Sequence, residues 1–410
     1  MAKQKFWRIP FFGGFSVESP ARTRPAFFGR PSFGTRHSSI LCLALGSILW
    51  AWSGTVELKA ASYEVGPGLI YATIASVPAL SPGDVVNIHC GTYNEVRRWT
   101  DSGASGQPIT LRGVCAGSRP VIDGTGQDVS GNGAAPRAVW QIEGSYYAIA
   151  GLEFENARNG DNGAGIRMLN SFVTIDNCEF TNSDMGIVTS TTNADNIVVQ
   201  SSEIAFNGTG ALDGFSHNVY LTAGGTITFQ FCFIHDAVSG ENFKSRAHYT
   251  QLFYNFIAYG AEDEVEGDDG ADTTTPNSNM TMIGNILVST PNRTVNTTKF
   301  IMFGQDTGGT HNGTLYLINN TLIAATSSIG FLRSSATESA IVAVNNIFYG
   351  SDTIVQPGFT TNISGTNNWV PITAVIPAGF TSNTLGTDPA FVNLAGTDFH
   401  LTSEIGRAHV

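Results

Sequence analysis

Tyr147-Ala-Ile-Ala-Gly-Leu152-Glu-Phe returns as Val173-Thr-Ile-Asp-Asn-Cys178-Glu-Phe, Ile197-Val-Val-Gln-Ser-Ser202-Glu-Ile and Ile227-Thr-Phe-Gln-Phe-Cys232-Phe-Ile. It continues as Thr250-Gln-Leu-Phe-Tyr-Asn255-Phe-Ile, Met280-Thr-Met-Ile-Gly-Asn285-Ile-Leu, Leu315-Tyr-Leu-Ile-Asn-Asn320-Thr-Leu and Ile341-Val-Ala-Val-Asn-Asn346-Ile-Phe. The sixth positions, from Leu152 to Asn346, lie 26, 24, 30, 23, 30, 35 and 26 residues apart. A pattern recurring at such a period is a repeat architecture, in which each unit buries its apolar face against its neighbours.

Each copy alternates apolar and polar residues and then turns, as a strand with one buried face does. A helical solenoid needs an amphipathic helix of about ten residues or more per repeat. None of these intervals offers one free of Gly, Asn or Thr. The expected fold is therefore all-β, a parallel β-helix of about ten or more coils whose short strands stack at about 4.8 Å. Asn255, Asn285, Asn320 and Asn346 share one column, where stacked amides hydrogen-bond along the axis, so a structural role is expected for them. Composition agrees: 46 Gly and 13% charged residues suit short strands and tight turns, and 42% apolar residues can fill a long, narrow core.

Residues 1–61 read as a leader. Basic residues from Lys3 to Arg36 precede an apolar run at 40–52, and Lys59-Ala-Ala-Ser62 offers small residues for cleavage. The run is short of the roughly 20 residues that span a membrane. Residues 62–403 are expected to form one secreted or periplasmic β-helix domain, monomeric and without membrane attachment once the signal is cleaved. Residues 404–410, Glu-Ile-Gly-Arg-Ala-His-Val, resemble a translated sequencing adapter and are expected to be an artefact.

Residues 1–60 hold eight of the 21 Lys and Arg and two of the 33 Asp and Glu, so the remainder carries 13 basic against 31 acidic groups, a net charge of −18. Nucleic acid is thereby excluded as an expected partner, because phosphate binding needs a basic face. Beyond the leader lie Cys90, Cys115, Cys178 and Cys232, with no pair at metal-finger spacing. Cys90 and Cys115 are about one coil apart and can pair across adjacent rungs. Cys178 and Cys232 have Ser202 between them in the column, which puts them about 10 Å apart and predicts buried thiols.

Between successive blocks lies a further strand column, which includes Gly165-Ile-Arg167-Met, His217-Asn-Val-Tyr220-Leu and Glu241-Asn-Phe-Lys244-Ser-Arg246. If Val219 and Phe243 point inward, alternation sends Asn218, Tyr220, Asn242, Lys244 and Arg246 outward on one face. Beyond the leader Lys299 is the only other lysine. Lys244 and Arg246 stand about 6.6 Å apart by backbone rise. At an effective dielectric of about 20 they repel by about 2.5 kcal/mol, which lowers a lysine pKa and makes it a usable base. A solvated or structural lysine is the alternative.

One coil on, Glu262-Asp-Glu264-Val-Glu266-Gly-Asp268-Asp269-Gly-Ala-Asp272 holds seven carboxylates in eleven residues. Stacked one rung from Lys244, they would raise its pKa and cancel the effect of Arg246. A hard divalent cation resolves that conflict, so Ca2+ held by Glu264, Glu266, Asp268 and Asp269 is the expected cofactor. A solvated acidic loop, or carboxylates acting directly as acid and base, are the other readings.

With these residues in view, 62–403 resembles the pectin-lyase-type right-handed parallel β-helix, and Val65-Gly-Pro-Gly with Gly91-Thr-Tyr-Asn-Glu95 is similar to its N-terminal opening. Glu241-Asn-Phe-Lys244-Ser-Arg246 with Tyr254-Asn255 is similar to the lysine-bearing segment of the alginate lyase and chondroitinase B family of polysaccharide lyases. That resemblance implies β-elimination on a uronate-containing polysaccharide with Lys244 as base. Arg246 or Ca2+ would neutralise the substrate carboxylate, and Tyr220 or His217 would serve as acid. His217 bonded to a turn carbonyl is the alternative for that residue. Arg167, Asn218 and Asn242 are expected to contact sugar. The family's calcium carboxylates have no counterpart at Ala237 or Ser239. A non-catalytic carbohydrate-binding β-helix protein is the second reading, and a glycoside hydrolase using paired carboxylates such as Asp268-Asp269 the third.

Overall fold

The computed structural model describes residues 60–209, 215–291, 299–304, 308–334, 338–356 and 362–402. The expected leader at 1–61 with its apolar run, and the adapter-like 404–410, lie outside them apart from residues 60 and 61.

Each eight-residue block contains not one strand but two, because the chain bends within it. Tyr147–Ala150 runs into Gly151 and Leu152, and Glu153–Glu155 follows in a second sheet. The residue at the bend is in the left-handed region: Gly151 at φ 66°, Asn177 at 51°, Gly284 at 67° and Asn345 at 60°. Gly and Asn tolerate that region best, which is why they recur there. A third strand, Ala164–Met168, completes the coil. Each strand pairs in parallel with its counterpart one coil on, in Val173–Asp176, Glu179–Thr181 and Met185–Thr189. Repetition gives three long sheets of 13, 12 and 9 strands, here the first, second and third sheets in order along a coil. Among the described residues there is no α-helix. The fold is the right-handed parallel β-helix.

Inward residues stack in register along the axis: Ile149, Ile175, Val199, Phe229, Leu252, Met282, Leu317 and Ala343 follow one another on the first sheet. All are buried, and Phe154 stacks on Phe180 at 5.0 Å on the second sheet. The bend beside this core buries backbone groups that the sheets leave unpaired, and the asparagine column satisfies them. Asn255 Nδ2 donates to Phe229 O at 3.0 Å and to Asn285 Oδ1 at 3.0 Å. Asn285 repeats this towards Asn320, Asn320 towards Asn346, and Asn346 towards Asn368. The ladder therefore extends one rung beyond the four asparagines of the repeat. Ser202 fills the same column with a hydroxyl that accepts from Cys178 N at 3.1 Å.

Cys90 and Cys115 form a disulfide between adjacent coils, with Cα atoms 5.0 Å apart. Cys178 and Cys232 are buried thiols, pushed up to about 12 by burial. The closing Phe391–Asn393 and Asp398–Leu401 form an antiparallel pair whose Phe391 and Phe399 pack on Tyr349 and Phe256 of the second sheet.

Asn320→Ala removes the acceptor of Asn285 N at 2.9 Å and the donor to Met282 O at 2.9 Å. With each buried orphan costing about 1–3 kcal/mol, we expect a loss of about 3 kcal/mol or more in urea unfolding. Asn320→Ser, which keeps an acceptor as Ser202 does, should recover part of it.

Candidate functional site

Four adjacent strands of the third sheet carry the chemistry: Val219–Leu221, Phe243–Ser245, Val265–Gly267 and Lys299–Phe303. Val219, Phe243, Val265 and Ile301 are fully buried in the core. The pleat turns Tyr220, Lys244 and Glu266 to the other face, where they lie in register one above another.

Asn218 and Asn242 do not follow the expected alternation. Both have no exposed surface, because they sit where the chain turns into the sheet and serve a second amide ladder. Asn207 Nδ2 donates to Asn218 Oδ1 at 2.9 Å, Asn218 Nδ2 to Asn242 Oδ1 at 2.8 Å, and Asn242 Nδ2 to Glu264 Oε2 at 2.6 Å. The same amides cap the carbonyls of His235 and Ala258, and Glu264 accepts from Gly260 N at 3.1 Å. The expectation that Asn218 and Asn242 bind sugar and Glu264 binds metal is thus corrected: all three satisfy buried backbone.

Lys244 is 6% exposed. Its ammonium lies 2.7 Å from Glu266 Oε2, 2.9 Å from Asp268 Oδ2 and 3.7 Å from Glu241 Oε1. Burial alone would lower its pKa, but Glu241, Glu266 and Asp268 outweigh that and hold it above the ordinary lysine range. Arg246 does not act on it as two bare cations would, because Asp268 Oδ2 lies between them, 3.3 Å from the guanidinium. The expectation of a lysine made basic by Arg246 is corrected accordingly: in this arrangement Lys244 is an ammonium without a lone pair to offer.

Lys299 reaches the same group from the next coil. Its ammonium contacts Glu266 Oε1 and lies 2.6 Å from Asp263 Oδ2. Both lysines that follow the leader therefore meet on one carboxylate. Burial would raise Glu266, but the two ammonium groups hold it well below the ordinary carboxylate range. Its neighbours are moved the other way. Burial, then the charge and hydrogen bond of Glu241, push Glu262 up to about 8, and burial keeps Asp263 well above its usual value despite Lys299. His217 Nδ1 stands 2.5 Å from Glu241 Oε2 with its ring 5.6 Å from that of Tyr220, so its partner is a carboxylate rather than a turn carbonyl.

Arg167 occupies the same outward column two rungs before Tyr220, through Val188. It is 6% exposed and donates to the carbonyls of Asn162 at 3.2 Å and Arg137 at 3.4 Å. Burial lowers it to about 10. It pins surrounding loops to the sheet, and sugar contact is not its role in this geometry.

The four carboxylates expected to hold Ca2+ are not arranged for it. Glu264 belongs to the corner ladder, Glu266 lies between two lysines, Asp268 between Lys244 and Arg246, and Asp269 Oδ2 accepts from Gly309 N at 2.9 Å. Among the described residues no three His, Cys, Asp or Glu side chains converge as metal ligands. The residues do not fit the cation, because the acidic segment takes its counter-charges from Lys244, Arg246 and Lys299. Glu241, Glu262, Asp263 and Lys299 are site residues that the sequence reading passed over. Glu241 heads the quoted lysine segment, and Lys299 was visible as the second lysine.

A right-handed parallel β-helix with a charged cluster on its third sheet is the class these features define. No family model matches this chain, and no curated protein matches it in sequence. Among solved structures it is similar to the pectate lyase Pel9A, at 15% identity and TM-score 0.54 over 82% of this chain and 84% of that one. It is similar also to XylC in complex with xylose, at 10% identity and TM-score 0.54 over 81% and 87%. At these identities the likeness shows the fold.

Lys244→Met leaves Glu266 and Asp268 short of a cation, and we expect it to cost about 3–5 kcal/mol, as breaking one partner of a buried pair does. Glu266 is depressed, so its stabilisation is present above its ordinary value of 4.5 and fades as pH falls. Urea midpoints followed against pH should therefore drop at higher pH in Lys244→Met than in wild type.

Proposed function

We propose that this chain is a carbohydrate-active enzyme that cleaves a glycosidic bond at the third-sheet cluster, with Glu262 as proton donor to the leaving oxygen. One observation carries this reading: Glu262 and Glu266, four residues apart, are pushed in opposite directions, the first up to about 8 and the second well below the carboxylate range. Glycoside hydrolysis needs one carboxyl that keeps its proton near neutral pH and one that has lost it. Glu262 is the more exposed of the two, and Glu241 orients it. The fold relatives named as a pectate lyase and as a xylose complex support a saccharide as the substrate class.

A neutral sugar suits the cluster better than a uronate. Lys244, Arg246 and Lys299 each already contact carboxylates of their own chain, so none of these three is spare to neutralise a substrate carboxylate. Elimination on a uronate is the second reading, supported by the gathering of both lysines and Arg246 on one outward face. It requires Lys244 to be released from Glu266 and Asp268 before it can take a proton.

Purified protein should be incubated with neutral and uronate-containing glycans while reducing ends and unsaturated-uronate absorbance are followed together. We expect reducing ends without absorbance, and a rate that falls as pH rises past about 8, where Glu262 loses its proton. Glu262→Gln should lower kcat by about 10²–10⁴ with an unchanged circular dichroism spectrum. Full activity in that variant would sink the assignment, and absorbance abolished by Lys244→Ala would replace it with the lyase.

A further inference from the structure

The first sheet carries Glu64, Arg112 and Asp176 in its early strands and then no charge at all. Eight consecutive strands of the first sheet are Ile197–Gln200, Thr226–Gln230, Tyr249–Phe253, Met280–Ile283, Thr314–Ile318, Ala340–Val344, Asn362–Thr366 and Phe380–Thr381. Not one of their residues is charged, in a chain with 54 charged side chains. In the same coils the second sheet carries Glu203, stacked on Glu179 and Glu153 of the two coils before, and the third carries the lysine cluster. Seven steps of about 4.8 Å make this uncharged face about 34 Å long.

Its outward residues are sorted into files. Phe253, Ile283, Ile318 and Val344 stack in register along one file, and Thr228, Gln251, Thr281 and Tyr316 along the next. Thr228 Oγ1 donates to Gln251 Oε1 at 2.8 Å, and Gln230 Nε2 to Gln200 Oε1 at 2.9 Å, so the polar groups are held at fixed positions.

Aromatic pairs stand at both edges of the sheet. At the bend into the second sheet, Phe231 and Tyr254 lie nearly parallel with centroids 5.7 Å apart, and they are 44% and 58% exposed. Both are in the left-handed region, at φ 55° and 56°, in a column otherwise filled by Gly, Asn and Ser. A bulky exposed aromatic is the costly choice there, for both strain and solvation. On the opposite edge, in the two coils just before the uncharged run, Tyr146 and Phe172 repeat the arrangement, 4.5 Å apart and both at φ 61°.

We propose that the outer face of these eight strands, with the Phe231 and Tyr254 pair at its edge, is a docking surface for a neutral polysaccharide. Pyranose rings present apolar C–H faces rimmed by hydroxyl groups. A flat face without charge, with a file of apolar side chains beside a file of hydroxyls and amides, complements that chemistry. An anionic glycan would find no cation, and an anionic lipid surface none of the basic residues it recruits. The surface lies on a different sheet from the cluster and does not depend on the cleavage proposed there.

The test is affinity electrophoresis of Glu262→Gln protein in gels containing β-glucan, xylan, galactomannan, alginate or pectate, so that loss of binding and lack of turnover are read separately. We expect retardation by at least one neutral glycan, insensitive to salt. The double variant Phe231→Asn, Tyr254→Asn places the column's usual residue at both bends. Its melting temperature should rise while retardation weakens about tenfold or more, the size of an interface hot spot. Ile283→Lys should abolish retardation. Retardation by the polyuronates alone, or by none of the glycans, overturns the proposal, as does a double variant that binds as before or loses stability. A dimer seen by light scattering and dissolved by Ile283→Lys would give the face to a second copy instead.

Discussion

Every coil returns to the same register, so each side chain has its counterparts about 4.8 Å above and below. That constraint makes like stack on like, and what stacks must tolerate its own repetition. Amides do, because each offers both donor and acceptor, and the file from Asn255 to Asn368 uses both. Apolar side chains do, as the inward files show. Carboxylates do so where they stay partly exposed, as Glu153, Glu179 and Glu203 do beside Arg119, and not where they are buried without a cation. The acidic strand Val265–Gly267 is therefore placed between two strands that each bring a lysine.

The resulting alternation of Lys244, Glu266 and Lys299 is a buried polar network, and such networks are exacting. Removing any member leaves a charge in a setting where water cannot compensate it. It also sets proton affinities in opposite directions within a few residues. Glu262 and Asp263 are driven towards the protonated form and Glu266 is kept ionised. A segment with seven carboxylates thus becomes a set of distinct acids.

Much of this was legible in the sequence. The period, the recurring asparagines and the alternation around Val219 and Phe243 suffice to place Lys244 and Tyr220 on an outward face. What alternation could not show is the corner. Asn218, Asn242 and Glu264 fall two residues before the outward file, where the strand period has lapsed and the side chains turn back to the backbone. The partner of Glu266 was hidden for another reason. Lys299 lies 33 residues further on, inside the longest interval of the repeat, and its rung becomes visible only when coils are aligned in space. Counting charges along one segment suggested Ca2+, whereas counting them across coils finds Lys244, Arg246 and Lys299 set among those carboxylates.

From Gly151-Leu152 through Asn345-Asn346 to Asn367-Asn368 the bend between the first and second sheets is two residues long. Coil length nevertheless varies from 23 to 35 residues, so all of the variation falls in the two connections that flank the third sheet. The ladder corner fixes the scaffold, and the segments free to change are those that lead into and out of the sheet that bears the charged cluster. Such a molecule can be re-tailored by inheritance one loop at a time, acquiring new walls around an old floor while the repeat beneath keeps its pitch.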